Sequence, residues 1–501
     1  MAFAVSTRYM NNNAPFATQF LQDDESSQRP EICCGQGAVL NTRTGVSSHS
    51  ERVRLVRSDQ TPESPPAVII VGPPWQRSGT ARVIQNQIEF YRSRGYFTLF
   101  VAVAIDRDYM RSNAIIWDAF EEGVQDLGAD HVSIAALERK QYVRAKYTAS
   151  IRHALRGTVL DWIVAIGRSA QLPDDVARFI RGLPVALIHV NHVYTMGFAL
   201  RLRKQLVRGG ERVPIIIETH DVQSHLLQQR GDLNPWTHRT DRLKRLIRSE
   251  KRLLDKADVL VHLSVDDSDF FRMQMPSKPQ ILTMPTIDES FMSTVNAIRS
   301  PSAEQIDLLF VGQSNGPNLL ALEWFFEKVW PLISERRYIL KIVGRVEMLV
   351  RHRLPQIYEA FRSCFVGLVA DLAPYYCSSR CVIAPMVSGS GISIKTIEAL
   401  ALGKAFVGTS KAFRGMPMEQ IKQAGLQAYD NPQDFADAIT HTLCTERLAG
   451  ACSRAAYDRV FSVQAAFASR EQAVRIATEA RNHRYSRRIG LALFGGNVRG
   501  L

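Results

Sequence analysis

The sequence predicts an α/β protein built from two doubly wound parallel-sheet units that face each other across a cleft. Short apolar runs alternate with helical patterns from residue 66 to about 274, and this alternation is typical of a parallel sheet with helices on both faces. The pattern stops over a polar, proline-containing stretch near 275–303 and then starts again. A chain of 501 residues is also too long for one hydrophobic core.

The first unit follows a polar leader. Residues 1–62 are rich in Asn, Gln, Ser and Thr without a sustained period, which predicts a mostly disordered segment. An N-terminal domain is predicted over 63–280, beginning with the buried strand PAVIIVG and the helix TARVIQNQIEFYRSRG. A long amphipathic helix is predicted at about 238–256. The other strand patterns of this domain are YFTLFVAVA, HVSIAAL, LDWIVAI, VALIHV, VPIIIETH and DVLVHLS.

The second unit repeats the design after a linker predicted over 281–303. A C-terminal domain is predicted over 304–460, and residues 461–501 predict a helix that crosses back to the N-terminal domain and then a basic tail. Open α/β sheets bind ligands at the carboxyl ends of their strands, so we expect the ligand between the two units. The main patterns of the second domain are IDLLFVG, PNLLALEWFFEKVWPLI, YILKIVG, FVGLV, CVIAPM, SIKTIEALAL and AFVGTS.

The charge balance limits the classes of partner that we expect the protein to bind. The formal net charge is +13, which suits nucleic acid, anionic lipid or a phosphorylated substrate. No zinc-finger spacing or RNA-binding aromatic motif accompanies the charge, so nucleic acid is not the predicted partner. The basic residues are spread along helical segments such as 201–212, 241–256 and 481–488. A solvated helix face explains each of these segments, and docking on an anionic membrane is the functional alternative.

The cysteines and the apolar runs predict a cytoplasmic protein. Seven cysteines include no C-x-x-C pair, and Cys377 and Cys381 lie four apart in a predicted helix without a further ligand nearby. We therefore predict reduced cysteines and no metal site. No apolar run reaches the length of a membrane span, and the start of the sequence has no secretory-signal pattern.

A glycine-rich turn in the second unit carries the strongest functional signal. The segment APMVSGSGISIKTIEALALGK joins a strand to a helix, with Gly389 and Gly391 in the turn. Glycine allows positive φ and a close approach of a ligand to the backbone, and the free amides of a helix N-terminus attract anions. Lys395 adds a charge, and Glu398 offers a carboxylate to ribose hydroxyls. On these residues alone, a tight strand–helix turn without a ligand fits equally well.

Two histidines are candidate functional residues of the first unit. The strand IHVN ends at Asn191 and His192, and the next strand ends at His220 and Asp221. Either histidine alone fits a hydrogen-bonded loop residue. Two at neighbouring strand ends indicate a functional role for at least one. The loop GPPWQRSGTARVIQ after the first strand lacks the G-x-G-x-x-G spacing of dinucleotide-binding proteins, which disfavours a dehydrogenase.

The segment GSGISIKTIEALALGKAFVGT at 389–409 resembles the C-terminal signature of GT-B glycosyltransferases, specifically the retaining family 4 or "glycosyl transferases group 1". Other pieces agree in order: IIETHDV, EKRLLDKADVLVHLSVDD, LLFVGQSNGPNLLALEWFFEKVWP, LKIVGR and FVGLVADLAPYYCSSRCVIAP. The resemblance covers about 66–445.

The resemblance implies two Rossmann-like domains, with a nucleotide-sugar donor as co-substrate and neither cofactor nor metal. The second glutamate of the family's E-x7-E pattern matches Glu398, whereas the first position is Ser390. Family members often hold the diphosphate with Arg and Lys after the first strand of this domain, where this chain has Gln313 and NGPN. The donor-binding residues that the resemblance implies are Gly312, Asn318, Arg345, Asp371, Gly389, Ser390, Gly391, Ile392, Ser393, Lys395 and Glu398.

On the acceptor side, the resemblance implies a loop that includes Ser78 and Gly79, together with Asn191. The catalytic candidates are His192, His220, Asp221 and Lys395. The expected function is transfer of a sugar, with retention of configuration, to a glycan or lipid-linked acceptor in surface polysaccharide or glycoconjugate biosynthesis, in the cytoplasm or at the inner face of the membrane. A GT-B sugar-nucleotide epimerase and a non-catalytic basic binding protein remain alternatives.

Overall fold

The structure is a computed structural model. It describes residues 65–74, 79–104, 127–153, 158–207, 212–223, 226, 240–298 and 305–494. The predicted disordered leader and the end of the predicted basic tail lie outside the described residues.

Seven parallel strands form the first sheet, in the order β3-β2-β1-β4-β5-β6-β7. All residues of β1 are buried, because helices cover both faces of a doubly wound sheet. The strands are β1 (Ala67–Gly72), β2 (Phe97–Val103), β3 (His131–Ala135), β4 (Val185–Asn191), β5 (Ile215–Glu218), β6 (Val259–His262) and β7 (Gln280–Leu282). The helices are α1 (Gly79–Ser93), α2 (Arg139–His153), α3 (Val159–Gly167), α4 (Asp174–Gly182), α5 (Met196–Gln205), α6 (Thr240–Leu254) and α7 (Val265–Gln274).

Five parallel strands form the second sheet, in the order β10-β9-β8-β11-β12. They are β8 (Ile306–Val311), β9 (Leu340–Val343), β10 (Phe365–Gly367), β11 (Ser379–Ala384) and β12 (Ala405–Gly408). The helices are α8 (Glu289–Ala297), α9 (Gly316–Trp324), α10 (Val346–Arg353), α11 (Pro355–Ala360), α12 (Ala373–Ser378), α13 (Ile394–Ala401), α14 (Met418–Gln423), α15 (Pro432–Cys444), α16 (Glu446–Val460) and α17 (Val463–Phe494). A π turn (Phe325–Val329) continues α9 into a last helical turn (Trp330–Ile333). Together the two parallel sheets confirm the predicted fold class.

The C-terminal helix α17 returns to the first sheet. Ala473 and Ala477 are buried in the apolar cluster that covers one face of this sheet, and Phe467 packs edge-on against Phe90 of α1 with 5.3 Å between ring centroids. The chain passes between the sheets within 283–288, and α8 packs on the second core through Val295. The exact domain boundaries stay predictions.

The segment LDWIVAI is a helix, so the prediction of a strand there is wrong. It forms most of α3, whose first turn is closed by a capping box between Thr158 and Asp161. The Thr158 amide donates to the Asp161 carboxylate at 2.9 Å, and the Asp161 amide donates to the Thr158 hydroxyl at 3.3 Å. These bonds satisfy helix-end amides, and they outweigh the strand propensity of the apolar run. Cys381 also lies in β11 rather than in a helix with Cys377.

Candidate active site

The topology of the two sheets determines where the cleft lies. In each sheet the strand order reverses beside its first strand, between β1 and β4 and between β8 and β11. Loops that leave the carboxyl ends of these strands diverge there and open a crevice. The two crevices face each other and enclose about 730 Å³, lined from one side by Gly79, His192 and His220 and from the other by Gly312 and Lys395.

The turn after β11 requires its two glycines. Gly389 has a φ of 133° and Gly391 a φ of 62°, which other L-residues rarely adopt. A Cβ atom on Gly391 would lie 2.6 Å from the Asp221 carboxylate of the first domain, and one on Gly389 would lie 3.0 Å from the Arg414 guanidinium. The glycines therefore allow the backbone of this turn to approach charged groups on both sides.

Helix α13 begins at the cleft with an open N-terminus. Its N-cap residue Ser393 makes no side-chain capping bond, and its first turn contains no acidic residue. The Ser393 hydroxyl instead accepts from Thr396 at 2.9 Å. The positive end of the helix dipole therefore points at the cleft without a carboxylate of its own helix to neutralise it.

Lys395 is held in the first turn of α13 by the loop after β8. Its Nζ donates to Asn318 Oδ1 at 2.6 Å and lies 4.3 Å from the centre of the Phe310 ring. The Asn318 side chain is itself held in place, because its Nδ2 donates to the Gln313 carbonyl at 2.8 Å. Burial lowers the pKa of Lys395 to about 7, Arg414 acts in the same direction, and Glu398 opposes them. A bound anion would restore the charge of this ammonium.

Glu398 lies one turn further along α13 and is only 7% exposed. Its Oε2 accepts from the Tyr376 hydroxyl at 2.9 Å, and its Oε1 lies 3.7 Å from Arg82 Nε of the first domain. Burial raises the pKa of Glu398, although Arg82 and Tyr376 act against that rise. Arg82 also donates to Asp288 at 2.8 Å and lies 4.4 Å over the Phe291 ring. The carboxylate is thus pre-positioned by partners from both domains.

The two histidines of the first domain form a stacked pair, with ring centroids 4.0 Å apart. Both have unusual backbones for non-glycine residues, with φ of 61° at His192 and 44° at His220, and such conformations cluster at functional sites. Thr80 lies 3.2 Å from His192 Nε2, and Asn191 lies 2.9 Å from His220 Nε2. Burial lowers the pKa of His192 well below its usual value. It lowers that of His220 to about 4, with Glu218 opposing and His189 and Arg470 adding. Both rings are therefore neutral near pH 7.

A buried ionic network surrounds Glu218, the last residue of the strand that precedes His220. Glu218, two residues before His220, lies 3.3 Å from Arg470 of α17 and 3.5 Å from His189. The Tyr91 hydroxyl lies 2.8 Å from the other ring nitrogen of His189. Burial acts to raise the pKa of Glu218, but Arg470 and the His189 hydrogen bond outweigh it and bring the pKa to about 2. The returning helix α17 thus supplies the charge that keeps a buried carboxylate ionised.

Asp221 reaches across the cleft to the glycine-rich turn. Its carboxylate is hydrogen-bonded to the Ser390 side chain, and Arg414 adds a favourable charge. Burial nevertheless raises the pKa of Asp221 to about 6. The side chain therefore occupies the side of the turn that faces the first domain.

Most predicted site residues come together in the cleft. Asp371 lies there too, with Oδ1 accepting from the Ala373 amide at 2.9 Å. Arg345 is exposed and is not part of the lining, and Asn191 is buried behind the histidines. The prediction for Ser78 lies outside the described residues. The predicted residues that line the cleft are Gly79, His192, His220, Asp221, Gly312, Asn318, Asp371, Gly389, Ser390, Gly391, Ile392, Ser393, Lys395 and Glu398. Their individual roles stay predictions.

Sequence reasoning missed two cations of the cleft, Arg82 and Arg414. Arg82 lies in the first turn of α1, where its position after the loop of β1 was a usable signal. Arg414 lies in the stretch SKAFRG after β12, which has no spacing that points to a ligand.

Comparison with known proteins identifies the second domain. Residues 305–445 match the model of the family "Glycosyl transferases group 1". The second domain is therefore similar to this family over the matched residues. The glycine-rich turn, Lys395 and Glu398 all lie inside the matched segment. No curated protein matches the sequence of the chain.

Solved structures share the whole two-domain fold. Anabaena Alr3699/HepE in complex with UDP is 14% identical with a TM-score of 0.52, covering 81% of this chain and 99% of that one. The complex of the same protein with UDP-glucose gives 15% and 0.52, with coverages of 81% and 98%. The α,α-trehalose 6-phosphate synthase from Burkholderia multivorans gives 13% and 0.54, with coverages of 83% and 99%. The chain therefore has the GT-B fold, and the residues matched by the family model lie in its second domain.

Two negative findings apply to the described part of the chain. Within it, no helix combines the length and the apolarity needed to cross a membrane. Nor do three or more His, Cys, Asp or Glu side chains of these residues gather in a way suited to a metal ion.

Proposed function

We propose that the protein transfers a sugar from a nucleoside diphosphate sugar to a glycan or lipid-linked acceptor, with retention of configuration and without a divalent metal. The observation that carries the proposal is the open N-terminus of α13, with Lys395 and Glu398, facing the histidine pair across one cleft. This arrangement offers an anion site, a hydroxyl-binding carboxylate and a pair of neutral imidazoles together. The solved relatives that bind UDP and UDP-glucose make a uridine nucleotide the first donor to test.

In the proposed reaction, the amides of the 389–393 turn and Lys395 stabilise the diphosphate as the bond between it and the sugar breaks. Preorganised dipoles of this kind usually give the largest catalytic contribution. Glu398 accepts hydrogen bonds from the nucleotide ribose and orients the leaving group. The neutral imidazoles of His192 and His220 line the sugar and the acceptor hydroxyl, which attacks from the face that the diphosphate leaves. The departing phosphate takes the proton of that hydroxyl.

A ligand screen followed by product analysis tests the proposal. The thermal midpoint of the protein is measured with UDP-, GDP-, ADP- and dTDP-sugars, because a ligand that binds the folded state raises the midpoint. The donor that binds is then incubated with and without candidate acceptors, in the presence and absence of EDTA. We expect a glycoside product with the anomeric configuration of the donor, formed equally well with EDTA. Epimerisation of the donor without an acceptor, or DNA binding without any nucleotide-sugar binding, would replace this proposal with one of the alternatives.

We further propose that the protein works in the cytoplasm on surface-polysaccharide or glycoconjugate precursors and docks on an anionic membrane through α2. Val143, Tyr147 and Ile151 are 58%, 64% and 65% exposed along one face of this helix. Exposed Lys140 and Arg144 lie among them, and the helix sequence RKQYVRAKYTASIRH contains no acidic residue. An apolar stripe set among basic residues matches an anionic bilayer surface.

Liposome sedimentation tests the docking surface. We expect the protein to sediment with vesicles that contain phosphatidylglycerol and to stay in solution with phosphatidylcholine vesicles alone. Tyr147→Ser with Ile151→Ser should abolish sedimentation, while Leu448→Ser, which changes a 67% exposed leucine of the second domain, should not. Equal sedimentation of both variants would exclude α2 as the docking element.

A further inference from the structure

Arg414 lies against the glycine-rich turn at Gly389 and Ser390. Its Nε donates to the Ser390 carbonyl at 3.0 Å and its Nη1 to the Lys411 carbonyl at 2.8 Å. The guanidinium also contacts Gly389, where a Cβ atom would lie 3.0–3.2 Å from its Cζ, Nε and Nη2. Two carbonyls thus fix this side chain along the turn, in the lining of the cleft.

Arg414 and Lys395 both line the cleft, Arg414 along the glycine-rich turn and Lys395 in the first turn of the helix that follows it. The positive charge of Arg414 also acts, after burial, to lower the pKa of Lys395. Like charges in one half-buried site are unfavourable unless an anion lies near both. A diphosphate linked to a sugar carries two negative charges, which equals the charge of the pair.

Asp221 supplies a negative charge at this place. It is the acidic residue that contributes a favourable charge to Arg414, and it is bonded to Ser390, whose carbonyl Arg414 also binds. Its carboxylate belongs to the opposite domain and lies 2.6 Å from the position of a Cβ on Gly391. The negative charge that faces the turn therefore comes from the protein itself.

We propose that Arg414 binds the diphosphate of the donor together with Lys395, and that Asp221 competes with this diphosphate for the glycine-rich turn. This inference rests on the proposed function. A planar guanidinium binds two phosphate oxygens at once, which an ammonium does not. The donor must displace the Asp221 carboxylate from the turn, so Asp221 competes with the donor and sets its affinity.

Calorimetric titrations that separate diphosphate from nucleoside test the inference. The probes are UDP, GDP, ADP and dTDP and the matching nucleosides, and the proteins are the wild type, Arg414→Gln, Arg414→Lys and Asp221→Asn. Lys411→Gln is the matched control, because it removes an exposed cation three residues away. We expect Arg414→Gln to weaken binding of the preferred nucleoside diphosphate at least tenfold and binding of its nucleoside less than twofold. Asp221→Asn should tighten diphosphate binding severalfold, and Lys411→Gln should change neither.

The outcomes distinguish the inference from the function on which it rests. If the wild type binds none of the nucleoside diphosphates, both are overturned. If it binds one and Arg414→Gln binds equally well, or loses nucleoside and diphosphate alike, only the role of Arg414 is overturned. If Arg414→Gln does not fold, Arg414→Lys decides: a several-fold loss confined to the diphosphate supports the inference, and wild-type affinity refutes it. Weaker diphosphate binding by Asp221→Asn would refute the competition.

Discussion

Donor binding is expected to weaken as the pH rises through about 7, because Lys395 loses its proton in the empty cleft. Burial and Arg414 lower the pKa of this lysine to about 7, against the opposing charge of Glu398. A bound diphosphate brings negative charge to the ammonium and raises the pKa again. The protonated protein therefore binds the donor more tightly, and above pH 7 Lys395 takes up a proton as the donor binds.

The size of the effect follows from the titration of this one group. A lysine with a pKa of about 7 is protonated in about 0.76 of free molecules at a pH of about 6.5 and in about 0.03 at about 8.5. If the lysine stays protonated in the complex, the dissociation constant rises roughly 25-fold over this interval. Asp221, with a pKa of about 6, contributes a further weakening centred at lower pH, and Asp221→Asn removes it. Burial raises the pKa of Glu398, so its ionisation acts in the opposite sense.

Isothermal titration calorimetry with UDP-glucose, or whichever nucleotide sugar binds, measures this directly, since the diphosphate of such a donor does not titrate near neutrality. Titrations in buffers of different ionisation enthalpy report the proton uptake. Lys395→Met in the Asp221→Asn background should lose the pH dependence above pH 7, and Lys395→Arg should retain high affinity at alkaline pH. A wild-type affinity constant within twofold over the interval, or an unchanged slope in Lys395→Met, would show that this lysine does not contact the diphosphate.

The remaining predictions concern three other positions. Glu398→Gln should cut transfer at least tenfold and weaken binding of the nucleoside as well as the diphosphate, because the ribose loses a charged acceptor; a wild-type nucleoside affinity would contradict this. Arg470→Met should lower the free energy of unfolding by about 3–5 kcal/mol, since Glu218 is left buried without its arginine partner, and the double variant with Glu218→Gln should recover most of the loss in urea unfolding. Gly391→Ala should abolish donor binding and cost about 1–2 kcal/mol, and adding Asp221→Ala should restore only the part that is due to the clash.

The donor side of the site was predictable because one continuous segment carries it. The glycines at 389 and 391, Lys395 and Glu398 occur within ten residues of each other, so the local physics of a strand, a turn and a helix end determines their placement. The orientation of Glu398 toward the cleft follows from the same helix, one turn after Lys395. The predicted strand order also placed the two histidines at the facing side of the cleft, because each follows one of two neighbouring strands of a parallel sheet.

The charges that come from distant segments were not predictable in this way. Arg82 meets Glu398 across 316 positions of sequence, and Arg470 meets Glu218 across 252. Nothing local to either arginine distinguishes it from the solvated basic residues of other helices, because its partner is set by the packing of two domains. The wrong strand at 160–166 has the opposite origin, since there the local capping signal of Thr158 and Asp161 was present and the apolar run was given more weight.

Across the cleft, each domain supplies partners for the proposed ligand-binding groups of the other. Arg82 faces Glu398, and Asp221 is bonded to Ser390, so an entering donor separates charged groups that are already partnered. Unpartnered buried charges are costly, and the donor is bound only if it replaces both partners, with a diphosphate at Ser390 and hydroxyls at Glu398. A free sugar or a free nucleoside replaces only one of these two partners. The other contact is then either broken without a replacement or kept, in which case the cleft stays closed. We therefore expect the proposed selectivity for a complete nucleotide sugar to arise from the cost of opening the cleft as much as from the contacts that the donor makes.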